Sequence, residues 1–109
     1  MAYDEGLAER VREILSVRKD IVEKKMFGGL SFLLDGNMAV GVIGDDLIVR
    51  VGPHDYDAAL THAHARPFDF TGRPMSGWIT VSPEGFEEDE RLTDWVLRGV
   101  GFAGTLPPK

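Results

Sequence analysis

Residues 30–43 restrict the fold more than any other part of the chain. Leu30, Phe32 and Leu34 alternate with Ser31 and Leu33, and the dipeptide Asp35-Gly36 separates this run from a second apolar stretch at 38–43. A period of two reads as a strand. Asp-Gly suits a tight type I′ turn, because both of its central positions require positive φ. Residues 30–43 are therefore predicted to form an antiparallel hairpin. A further turn at Gly44-Asp45-Asp46 leads into Leu47-Ile48-Val49-Arg50-Val51 and completes a three-stranded meander. Gly41 in the middle strand marks either a bulge or a point where something lies close on the backbone.

The flanks read as helical. Leu7, Val11, Ile14 and Leu15 recur at i, i+4, i+7 and i+8, with charged residues on the other faces, which is the spacing of an amphipathic helix. Asp4 is placed as its N-cap, and Asp4 with Glu5 suits the positive end of the helix dipole. Residues 21–27 then lead into Gly28-Gly29, read as a kink or bulge beside Phe27. After the meander, Gly52-Pro53 starts a short helix with Pro53 near its first position; Tyr56, Ala59 and Leu60 form one face, and the helix ends near His62. Residues 66–73 hold a short extended piece with Phe68 and Phe70 and a turn at Thr71-Gly72, and 75–81 form a strand rich in Trp, Ile, Thr and Val. Glu87-Glu88-Asp89-Glu90 opens a last helix whose apolar stripe is Leu92, Trp95, Val96, Val100 and Ala103. The order helix, three strands, helix, two strands, helix predicts an α+β fold of two layers, an antiparallel sheet of about five strands with the helices on one face.

Composition bounds the function. A chain of 109 residues, 43% apolar and 28% charged, is expected to form one domain over 1–109 with a single core. It has no cysteine, which removes disulfides, thiolate nucleophiles and cysteine-ligated metals. The apolar run at 39–43 is far shorter than the roughly 18 residues a membrane helix needs. The N-terminus has neither the basic start nor the apolar stretch of a secretory signal, so a cytoplasmic location is expected. The net charge of −6 is the wrong sign for gripping a phosphate backbone. The excess acid is concentrated at 83–109, where six acidic side chains face three basic ones, whereas 47–82 carries three of each and leaves room for a local basic patch.

Catalytic patterns are missing. His54, His62 and His64 cluster with Asp55 and Asp57, and His54 or His62 beside an aspartate is the one arrangement resembling a general base. No HExxH and no third spaced ligand accompanies them, so incidental histidines on a surface loop are the better reading. Neither GxSxG nor SxxK occurs, and the phosphate-loop spacings GxxxxGK and GxGxxG are absent. The acidic run at 87–90 lacks a cation-loop pattern and is read as a helix start. No catalytic, cofactor or metal residue is assigned. Residues 66–78 contain two Arg-Pro pairs and three aromatics, a composition suited to an acidic peptide or a single nucleic-acid strand. Phe68, Phe70 and Trp78 also alternate as core-facing strand residues do, and packing is the favoured role. Lys24, Lys25, Arg50, Arg66 and Arg73 are the candidate partner-binding residues, provided the sheet gathers them into one patch for an anionic partner.

Four segments together have a family character: Lys25-Met26-Phe27-Gly28-Gly29, Asp35-Gly36-Asn37-Met38, residues 47–53, and residues 65–75 with Trp78. They resemble the TfoX N-terminal domain family across nearly the whole chain. The resemblance implies an α+β domain similar in topology to secretion-chaperone-like folds, and a role linked to positive regulation of gene expression in natural competence. It supplies no catalytic residues. The expectation is a stand-alone, non-enzymatic regulatory or protein-interaction domain that works by protein contact and forms a homodimer, with no cofactor and no membrane partner. The alternative is a small anion- or nucleic-acid-binding module built on the five basic residues.

Overall fold

The computed structural model describes residues 3–26, 28–69 and 72–108. Its first element begins where the capping chemistry places it. The Asp4 carboxylate accepts hydrogen bonds from the backbone N–H groups of Gly6 and Leu7 at 2.8 and 3.3 Å, which satisfies two of the donors a helix start leaves open. Helix α1 (Glu5–Ile14) follows and tightens into a 3₁₀ turn at Leu15–Val17. Leu7, Val11 and Leu15 of the predicted face are buried, Ala8 is buried beside them, and Ile14 is only half-buried.

Among the described residues six strands form one antiparallel sheet: β1 (Ile21–Met26), β2 (Gly29–Leu34), β3 (Asn37–Ile43), β4 (Asp46–Arg50), β5 (Ala65–Pro67) and β6 (Trp78–Val81), in the order β1-β2-β3-β4-β6-β5. The β2–β3 turn has φ of 52° at Asp35 and 85° at Gly36, the double positive φ that Asp-Gly predicted. Helix α2 (Tyr56–Ala59) and helix α3 (Asp89–Ala103) complete the α+β architecture. No helix among the described residues is long and apolar enough to cross a membrane.

The helices share one face of the sheet. Phe32, Val40, Val42, Leu47, Val49, Ile79 and Val81 point toward it and pack with Leu7 and Val11 of α1 and with Leu92, Trp95, Val96 and Val100 of α3. Each fully buried side chain of this kind contributes about 1.5–3 kcal/mol relative to exposure, so this layer carries most of the favourable burial. The opposite face is closed at its centre by the β5–β6 connection. Phe68 packs with Met38 and Ile48, flanked by Ile43, Met75 and Trp78. The connection is fastened by backbone bonds from the Phe68 N–H to the Trp78 carbonyl and from the Met75 N–H to the Phe68 carbonyl.

Several local expectations shift. The sixth strand, β1, lies at 21–26, a stretch the alternation did not mark as a strand. Its Glu23-Lys24-Lys25 segment is exposed on both faces, so an edge strand with no layer above it leaves no apolar period to read. Between β2 and β3 the register passes from Phe32↔Val40 to Leu33↔Met38, which makes Ala39 the bulged residue. Gly41 is instead the close-approach position: a Cβ there would lie 2.6 Å from Cε of Met38. Helix α2 begins at Tyr56, three residues beyond Pro53, and the strand predicted over 75–81 begins only at Trp78 because Met75 turns the chain back over the sheet. The extended piece predicted over 66–73 pairs only through Pro67. Phe27, Phe70 and Thr71 lie outside the described residues.

Two polar ties hold α1 in place. The Arg10 guanidinium donates to the carbonyls of Phe86 and Glu87 and to the Asp89 carboxylate at 3.0–3.1 Å, so the acidic start of α3 meets a cation from α1. Arg12 grips Glu23 of β1 with two bonds of 2.5 and 2.8 Å and also contacts Glu9. Its hydrogen bonds hold the Glu23 carboxyl below the usual glutamate range. A carboxyl with a depressed folded-state pKa stabilises the fold above its unfolded value and stops doing so as pH falls through the folded one. Arg12→Gln should therefore cost about 0.5 kcal/mol near neutrality, the scale of an exposed pair. That difference should vanish in urea titrations carried out below the depressed Glu23 value.

The helix-to-sheet spacing is set at Gly99, where a Cβ would stand 2.3 Å from the Ala39 carbonyl oxygen. Gly101, two residues further along the helix, has nothing within 4 Å. Gly99→Ala should destabilise by about 1–3 kcal/mol through overpacking. Gly101→Ala should stabilise by up to about 1 kcal/mol through helix propensity. Urea midpoints of the two variants, moving in opposite directions, check the spacing.

Candidate functional site

The five basic residues singled out from the sequence do not converge. Lys24 and Lys25 sit on β1 and Arg66 on β5, the two opposite edges of the sheet. Five interstrand steps of about 4.8 Å put roughly 24 Å between those edges. Arg66 is also engaged within the chain: it donates to the Asp46 carboxylate and to the Ser82 hydroxyl, both at 2.8 Å. Arg73 lies exposed in the β5–β6 connection. Arg50 packs against Phe102, a side chain that lines a cleft.

Arg50 ends β4, and its guanidinium lies 4.8 Å from the Trp78 ring centre and 5.5 Å from that of Phe102. Both distances are within the range of cation–π attraction. It is half-buried, it has no carboxylate partner among the described residues, and burial lowers its pKa. Phe102 reaches this position because residue 52 is glycine: a Cβ on Gly52 would lie 2.4 Å from the Phe102 ring. Gly52 also adopts φ of 88°, a conformation that glycine enters without strain.

On the helix side of Phe102 runs a cleft of about 400 Å³, lined by Val51, His54, Leu97, Arg98 and Phe102 among others. Leu97 is 53% exposed, one of three large apolar side chains so exposed among the described residues. Arg98 stacks over Trp95 at 5.0 Å. The cleft thus combines the apolar side chains of Val51, Leu97 and Phe102 with the stacked Arg98 guanidinium, and Arg50 meets it only through the Phe102 ring. Asp55 supplies a carboxylate at its rim.

The histidines serve other ends. His54 lines this cleft, His62 meets the Trp95 ring edge-on at 4.9 Å, and the His64 carbonyl accepts from the Ser82 N–H. Neither His54 nor His62 hydrogen-bonds a carboxylate among the described residues, so neither has the orienting partner a general base uses. No three of His, Asp and Glu gather as a metal-holding set among those residues.

Residues 13–103 match the family described as the TfoX N-terminal domain. The chain belongs to the TfoX N-terminal domain family. The match runs from the last turn of α1 to the final residue of α3, so it takes in every named strand, the Arg50 bracket and all of the cleft lining except Thr105. No curated protein matches the chain.

Sequence alone singles out Arg50 in this TfoX N-terminal domain but passes over Leu97, Phe102 and the part Arg98 takes in the cleft. A signal existed: Leu97 and Phe102 are large apolar residues lying off the buried stripe of α3, where a merely solvated helix face would be polar. A double-mutant cycle of Arg50→Ala with Phe102→Leu should give a coupling of about 0.5–1 kcal/mol. Urea unfolding of the four proteins measures it, and strict additivity would remove the contact.

Proposed function

We propose that this chain is a non-enzymatic regulatory domain that acts by binding an acidic, partly apolar protein segment in the α3 cleft, as part of control of gene expression of the competence type. One observation carries the reading. Arg50 is held half-buried between the Trp78 and Phe102 rings with no carboxylate partner among the described residues, and Phe102 also lines the cleft that holds the exposed Leu97 and the stacked Arg98. A guanidinium positioned in this way presents its free edge to an incoming carboxylate at little further ordering cost. Family membership supports a regulatory role, and among the described residues neither His54 nor His62 has the carboxylate partner that acid–base chemistry would use.

The alternative, a nucleic-acid or anion module, relies on five basic residues acting together. Their spread across both sheet edges, with Arg66 committed to Asp46, removes its main support. The net charge of −6 works against it as well.

In cells lacking the gene, transcript profiles should change and should return on complementation with the wild-type protein. Arg50→Ala combined with Arg98→Glu should fail to restore them while retaining the wild-type circular dichroism spectrum and near-normal abundance. A deletion that leaves the transcripts unaltered would overturn the regulatory reading. Steep, salt-sensitive binding of the purified protein to oligonucleotides would favour the alternative.

A further inference from the structure

The sheet has two edges, and they are not equivalent. β5 has three residues and includes Pro67, which offers no N–H; short length and proline are both devices that blunt an edge. β1 has six residues, contains no proline and leaves four consecutive side chains exposed. Val22 on this strand is 63% exposed, and Val17, just before it, is 88% exposed. Val22 is thus one of three large exposed apolar side chains among the described residues, and Val17 lies in the turn that leads toward this strand.

We propose that β1 pairs with β1 of a second copy, in antiparallel register about a two-fold axis through Lys24, to make a continuous twelve-stranded sheet. This surface is separate from the α3 cleft, and the inference stands independently of the function proposed above.

The register follows from faces and charges. Glu23 pairs with Phe32 and Lys25 with Leu30, so both side chains lie on the helix-bearing face. Val22 and Met26, opposite Leu33 and Gly29, lie on the other face. A two-fold axis perpendicular to the sheet keeps like faces together, so residues brought opposite one another must share a face. Centring on Lys24 sets Glu23 opposite Lys25 of the other copy, twice, and Val22 opposite Met26, twice. The only like-charge contact is Lys24 with its own mate. Centring on Glu23 instead sets the two Glu23 carboxylates together and leaves Val22 against Lys24. Opposite-charge and apolar cross-strand pairs stabilise antiparallel strands, and like charges destabilise them. Both Glu23 oxygens accept from Arg12, but Glu9 and Glu23 share that one cation, so the trio keeps a net negative charge beside the position where Lys25 of the second copy would lie. An isologous interface needs this kind of self-complementarity. Six residues a side make a small interface, so association is expected at tens of micromolar rather than nanomolar.

Sedimentation equilibrium at about 100 µM should give a dimer mass for the wild type. Lys25→Glu and Glu23→Lys should each weaken association by about tenfold or more, because each turns both opposite-charge pairs into like-charge pairs. Mixing the two variants should restore the dimer, since every 23-to-25 pair in the heterodimer again joins a carboxylate to an ammonium. The Lys25 side chain is exposed, so Lys25→Glu should leave thermal unfolding of the monomer unchanged. The chain has no cysteine, which makes cross-linking a second, independent reading. Lys24→Cys should form an intermolecular disulfide under mild oxidation much faster than Arg73→Cys. A wild-type monomer at every concentration, a dimer indifferent to both charge reversals, or equal cross-linking at 24 and 73 would each overturn the proposal.

Discussion

The close contact between α3 and the backbone of β3 is the constraint on which the rest of the structure depends. Gly99 lets the helix settle against the Ala39 carbonyl, and at that spacing Leu92, Trp95, Val96 and Val100 reach the sheet together. Helix α1 then docks on α3 and the sheet through Leu7, Val11 and Leu15, and is fixed by Arg10 at the α3 start and Arg12 at β1. The same placement carries Phe102 over Gly52 and so creates the bracket around Arg50. A wider spacing would loosen the core and take Phe102 away from the guanidinium in one movement. Stability and the candidate site are thus coupled through one small residue.

The second face of the sheet shows a different solution to the same problem. A two-layer α+β domain leaves one sheet face without helices, and here Ile48 and Met38 would be exposed at its centre. The β5–β6 connection folds back over them with Phe68 and Met75. That gives a structural role to the stretch whose arginines and aromatics otherwise suggest a ligand-binding strip. Phe68 and Trp78 meet this need, and Arg66 is held by Asp46. Trp78 does two things at once, closing the second cluster and stacking on Arg50.

What was legible in the chain followed the strength of its periodic signals. The Asp35-Gly36 hairpin, the Asp4 cap and the stripes of α1 and α3 have strong local causes, and the structure places them where those causes predict. Strand β1 was not legible because an edge strand exposes both faces and its charges carry no alternation. The position of the bulge was not legible either, since Gly41 and Ala39 are both small and only the pairing with β2 decides which is extra. For the site, Arg50 was picked out by residue type, whereas Leu97 and Phe102 were masked by the helix pattern in which they sit.

Local chemistry determined the α+β class, the hairpin, the caps, the absence of cysteine chemistry and the excess of acid, because each depends on residue types or on residues a few positions apart. Tertiary structure alone decided which basic residues stand together. Lys24, Arg50 and Arg66 are alike in charge, yet strand order sends one to each edge and one to the centre, where it meets Phe102 of a helix that begins more than thirty residues later in the chain. Strand order is set by long-range burial, and no nearest-neighbour pattern encodes it.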